Sequence, residues 1–160
     1  MRKIVAVFVA MLLTAACTSI DCPVNNVVAT GYSLMKADGT PDSLKDTMYV
    51  VTFQAGGKDT TLLNAGIGLS TFSLPVSYTC PEDTLYFIMR NVDYLTIDTV
   101  MVKKENIPHF ESVDCSASFF HTLTAVRSTH NAIDSIVINK SSVDYDATTK
   151  HIHLYLKAHD

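Results

Sequence analysis

Apolar residues recur at every second position along most of this chain, and that period confines it to strands. From Thr47 to Ala55, Met48, Val50 and Thr52 alternate with Tyr49, Val51 and Phe53. This is the pattern of a pleated strand, whose successive side chains take opposite faces. Gly56-Gly57-Lys58-Asp59 breaks the run before Thr60 to Asn64, which predicts a hairpin. Segment 69–74 is a further short strand, stopped at Pro75, whose missing N–H bars it from a central ladder position. Residues 84–90 and 95–104 predict a second hairpin around Asn91-Val92-Asp93. Residues 119–127 and 132–140 predict a third, joined through Ser128-Thr129-His130-Asn131. Segments 27–36 and 151–157 open and close the series, and no window of twelve residues carries a helical stripe. About nine short strands with Gly, Pro, Asn and Asp punctuation predict an all-β chain. The expected fold is a single antiparallel β-sandwich, Ig-like or transthyretin-like.

The N-terminus stands outside that pattern. Arg2 and Lys3 form a positive n-region, Ile4 to Leu13 an apolar h-region, and Ala15-Ala16 a small-residue cleavage site. The apolar run of about ten residues is too short for a ~20-residue transmembrane helix. Cys17 follows the cleavage site directly, where bacterial lipoprotein processing needs a thiol for diacylglycerol and, after cleavage, an amine for a third chain. Cys17 is therefore the expected lipidation site. Ordinary secretory cleavage at the same bond is the competing reading, because Thr14-x-Ala16 is an acceptable small-x-small site and Thr14 stands where a lipidated Cys is usually preceded by Leu. Each buried methylene contributes ~0.8 kcal/mol, so three chains of palmitate length hold a protein where one is marginal. The expected organisation is a removed signal peptide over 1–16, a lipidated N-terminus and short tether over 17–26, and the sandwich over 27–160. The membrane is the expected partner through these acyl chains. The expected location is the cell envelope, as an outer-membrane lipoprotein, with the periplasmic and surface faces both open.

Removal of residues 1–16 leaves 144, enough to bury a real core in one domain. The remaining 10 basic side chains face 16 acidic ones, a net charge of −6, and no basic run exceeds Lys103-Lys104. Nucleic-acid binding, which demands clustered Lys and Arg, is excluded on that ground. With Cys17 carrying lipid, Cys22, Cys80 and Cys115 remain, an odd number for an oxidising compartment. The expected bridge is Cys22–Cys115, since each lies in an irregular Asp-Cys segment flanking strands. It would close a 93-residue loop, worth on the order of 4–5 kcal/mol in the chain-entropy account. Cys80 is then the leftover thiol.

Histidine supplies the sharpest candidate chemistry. His151-Ile152-His153 places two imidazoles on one strand face, and His121 lies in a strand that can pair nearby. Such a set suits Zn²⁺. His109, His130 and His159 fall in expected loops or at the terminus. Signatures for nucleophilic chemistry are missing: no family pattern surrounds Cys115, and Ser116 and Ser118 lack the Gly-x-Ser-x-Gly elbow. Asp144-Tyr145-Asp146 lacks the spacing of a calcium loop. Seven Tyr without any Trp offer a modest aromatic surface, and edge strands offer a second route to a partner. The expectation is a non-enzymatic binding or envelope-structural module, without a cofactor, that engages an envelope protein. The alternative is a zinc-binding or ligand-binding β domain using His121, His151 and His153.

Several stretches carry a resemblance: Ser19-Ile20-Asp21-Cys22-Pro23, Ser73-Leu74-Pro75, Pro81-Glu82-Asp83, the run Pro108 to Ser116, Phe119-Phe120-His121-Thr122, and Asp134 to Asn139. Together they resemble the small outer-membrane lipoproteins of Bacteroidales that carry an uncharacterised domain, with residues 108–139 the most specific part. The resemblance implies an outer-membrane lipoprotein of unknown function and brings no catalytic residues with it.

Overall fold

The computed structural model describes residues 28–53 and 59–157. Its strands are β1 (Ala29–Met35), β2 (Thr47–Phe53), β3 (Asp59–Gly66), β4 (Thr71–Pro75), β5 (Glu82–Arg90), β6 (Leu95–His109), β7 (Ser118–Ser128), β8 (Ile133–Ile138), β9 (Ser142–Val143) and β10 (Ile152–Leu156). Among the described residues there is no helix. A four-stranded sheet in the order β4-β1-β10-β8 faces a six-stranded sheet in the order β3-β2-β5-β6-β7-β9. The fold is an all-β sandwich, as the alternation demands.

The core lies between the two inner faces. Tyr32, Leu34, Leu74, Ile133, Ile152 and Leu154 from the smaller sheet pack on Met48, Val50, Phe87, Met89 and Val100 from the larger. Tyr32 stacks on Phe72 at 4.9 Å and meets Phe87 edge-on at 6.0 Å, so one aromatic cluster crosses both layers. Period two is plain in β5, where Leu85, Phe87 and Met89 are buried and Arg90 is exposed.

The first two hairpins form as expected, β2 with β3 and β5 with β6. Gly56 to Lys58 of the first connection lie outside the described residues. Pro75 ends β4 at the edge of its sheet, where its missing donor costs nothing. Four expectations change. There are ten strands among the described residues rather than about nine, the added one being the two-residue β9. The sandwich is not wholly antiparallel, because β1 and β10 pair in parallel. Strand β6 runs on to His109, well past Lys104. The third hairpin does not exist: β7 pairs with β6 and β9, while β8 pairs with β10 in the other sheet.

The cause of that last change is a buried carboxylate. Asp98 of β6 accepts hydrogen bonds from the backbone N–H of Asn131 (2.6 Å), Ala132 (2.7 Å) and Ile133 (2.8 Å), and from Thr129 Oγ1 (2.8 Å). These bonds, with His130 at a positive φ of 59°, carry the chain from one layer to the other instead of folding it back. Burial works against the charge, yet the four donors outweigh it and hold the Asp98 carboxyl below the usual range.

Candidate functional site

One end of the sandwich is where β2 and β4 finish and where β1, β3, β5 and β7 begin. A cleft of about 920 Å³ opens there, within the size range of small-molecule sites. Val28, Leu62, Val76, Leu85 and Phe119 give it apolar walls, and Tyr78 stacks on Phe119 at 5.0 Å beside it. Its floor is polar for a reason readable in the strands. The inward phase of β5 runs Met89, Phe87, Leu85 and then Asp83. That of β6 runs Val100, Val102 and then Lys104. That of β7 runs Leu123 and then His121. Each strand keeps its alternation while the apolar set gives way to a polar residue, and of the three Asp83 and His121 line the cleft while Lys104 lies behind Asp83.

These residues join in a single chain of hydrogen bonds. Lys104 Nζ, with no exposed side-chain surface, reaches Asp83 Oδ1 at 2.8 Å and the carbonyl of Cys80 at 3.0 Å. The Lys104 N–H donates to Pro81 O at 2.8 Å, fixing the 77–81 segment against β6. Asn106 Nδ2 donates to the carbonyls of Tyr78 (3.0 Å) and Cys80 (3.2 Å), which leaves Oδ1 as the acceptor for His121 Nδ1 at 2.8 Å. His121 therefore carries its proton on Nδ1 and keeps a lone pair on Nε2. Burial first, and the nearby Lys104 cation second, pull its pKa down to about 4 against the opposing pull of Asp83. The imidazole is neutral at physiological pH. Tyr32, in the core behind, has its phenol pushed up by burial and then by Asp83.

The expected zinc set is not gathered. His121 belongs to the six-stranded sheet and His153 to the four-stranded one. His151 precedes β10 and is buried rather than sharing an outer face with His153. Its Nδ1 accepts from the Gly31 N–H at 2.9 Å, and its own N–H donates to Gly31 O at 2.8 Å. Among the described residues no group of three or more His, Cys, Asp or Glu side chains is placed to hold a metal ion. His109 ends β6 instead of lying in a loop, stacked on Phe120 at 4.2 Å and paired with Glu111 at 2.9 Å. His130 lies in the β7–β8 connection as expected. The Asp146 carboxylate is taken up by Thr148 and Thr149 in its own turn.

Of the described cysteines, Cys80 is free and exposed at the cleft, whereas Cys115 is already engaged. Cys17 and Cys22 lie outside the described residues, as does His159. The lipidation site and the Cys22–Cys115 pairing are therefore expectations that the described structure does not reach. Sequence reasoning missed Asp83, Lys104 and Asn106. The signal was present in β6, where Lys104 occupies the same phase as Val100 and Val102.

A model for a family of unknown function, DUF6452, matches residues 47–156. No curated protein and no solved structure matches the chain.

Proposed function

The chain belongs to the family of unknown function DUF6452, and from that premise we propose that it is a non-enzymatic binding module tethered to the bacterial envelope by an acylated Cys17. The outer membrane is its proposed location, in keeping with the resemblance to Bacteroidales lipoproteins, and a Cys22–Cys115 bridge fastens the tether to the domain. The observation that carries the binding reading is the 920 Å³ cleft itself. Its walls are apolar, and two of its polar lining groups are held from behind: Asp83 by Lys104, and His121 Nδ1 by Asn106. A site built for turnover keeps a nucleophile and a base in reach of each other. Here the Cys80 thiol lies against Thr79 Oγ1 at 3.7 Å and His121 Nδ1 against Asn106 Oδ1, so the polar residues stiffen a receptacle, which suits recognition.

Photo-crosslinking in the native envelope tests this reading. A photoreactive residue replacing Tyr78, on the cleft, should yield an adduct well above that from the same residue at Ile97. Ile97 is exposed near the opposite end of β6. Equal yields at both positions, or none at either, would overturn the proposal.

A further inference from the structure

We infer that the cleft takes an uncharged, single-chain amphiphile, with its hydrocarbon along the apolar wall and a hydroxyl or amide head hydrogen-bonded at His121. This rests on the binding role proposed above and names the chemical class that fits. Three observations point the same way.

The first is charge. Asp83 lines the cleft and is neutralised from behind by the buried Lys104 at 2.8 Å, and Glu82, also on the lining, is paired with Arg127 at 2.9 Å. A charged head entering here would be desolvated without a counter-ion, which costs several kcal/mol. An uncharged head meets no such penalty. The second is hydrogen-bond polarity. His121 presents an acceptor at Nε2, because Nδ1–H is spent on Asn106 Oδ1. Among the described residues nothing takes that lone pair. A head that donates an O–H or N–H completes it, and Thr60 and Thr84 line the same space. The third is shape and place. Val28, Leu62, Val76 and Phe119 supply apolar lining for a chain. Val28 also stands at the start of β1, so the N-terminal tether reaches the domain at the cleft's own lip. Ten residues separate Cys17 from Val28, a reach of at most ~40 Å even when fully extended. An anchored protein would hold this cleft close to a source of lipid chains.

Calorimetry on residues 17–160 with Cys17→Ser, made without residues 1–16 so that no detergent is needed, tests the inference. The probes are 1-decanol, decanoate and decyltrimethylammonium, which share one chain and differ in head charge. Decanol should bind at least ten-fold more tightly than either ion, and Leu62→Asn should weaken it by a similar factor. His121→Leu, which keeps the wall apolar, should weaken decanol about five-fold, the loss of one hydrogen bond. Ions binding as well as decanol would overturn the ligand class while leaving the cleft as a binding site. Unchanged decanol affinity in His121→Leu would overturn the assigned head position. No heat from any probe would overturn the inference, while envelope crosslinks at Tyr78 would still speak separately for the binding role.

Discussion

A methyl group added at position 31 would collide with the backbone carbonyl of Thr149. Gly31 lies where β1 meets the start of β10, and it gives both its N–H and its C=O to His151. The side chain is missing because the partner backbone occupies its space. Gly31→Ala is expected to destabilise by about 1–3 kcal/mol, as forced overpacking does, and thermal unfolding should show a lowered midpoint. His151 and His121 predict a pH response from the same scale. Both are buried, and burial is the leading cause of their lowered pKa values. The folded state therefore disfavours the proton that an unfolded imidazole takes up near pH 6.5. Their stabilisation is present above that pH and is lost as pH falls toward about 4, the His121 value. The His121 part amounts to at most about 3 kcal/mol. Urea midpoints measured from pH 7 to pH 4.5 should fall, and His121→Leu should flatten the slope. A slope unchanged by that substitution would remove His121 as its source. The spacing His151-x-His153 was visible in the sequence, but not that pleating begins only at Ile152. One residue of phase turned an expected outward ligand into a buried acceptor.

At the level of elements, β6 is apolar in the middle of its inward face and polar near both ends. Asp98 holds the crossover at one end and Lys104 backs the cleft-lining Asp83 at the other. Magnitudes separate these from surface charge. Asp98→Ala would leave three backbone N–H groups without their acceptor, at 1–3 kcal/mol for each buried donor in round terms. A loss of about 3 kcal/mol or more in chemical denaturation is expected. Asp83→Ala strands the fully buried Lys104 ammonium, and breaking such a pair costs about 3–5 kcal/mol. Glu82→Ala, which breaks the more exposed pair with Arg127, should cost under about 1 kcal/mol. Comparable losses for the two would contradict the placement of Lys104. The hairpins β2–β3 and β5–β6 were legible because turn and pairing are local. The β7–β8 connection reads like another hairpin because its four residues are turn formers. What redirects it is Asp98, more than thirty residues upstream, and no local window contains both. Lys104 was legible in principle, as a charge in an apolar phase, yet period alone could not say that the phase ended in a cleft.

For the whole molecule, anchoring and the fate of the thiols should be separable. The proposed signal, lipidation site and tether lie in the sequence before β1, and their chemistry can be tested apart from the fold. Cys17→Ser should move the protein from the membrane to the soluble fraction without changing its unfolding midpoint, because Cys17 precedes the domain. Cys22→Ala should do the reverse. The protein should stay with the membrane but lose on the order of 4–5 kcal/mol, the entropy released when a 93-residue loop is opened. Alkylation under native conditions sharpens the test. Cys80, free and exposed, should react at once, and peptides bearing Cys22 and Cys115 should travel together until a reductant parts them. Alkylation of Cys22 before reduction would refute the bridge, and the tether would then join the domain through β1 alone. Membrane retention of Cys17→Ser would refute the lipid anchor. Because Val28, just before β1, lines the cleft, the two failures carry different consequences. Without the proposed bridge the tether would no longer fix the cleft's orientation, whereas without the proposed anchor the membrane would no longer stand as the source of the inferred ligand.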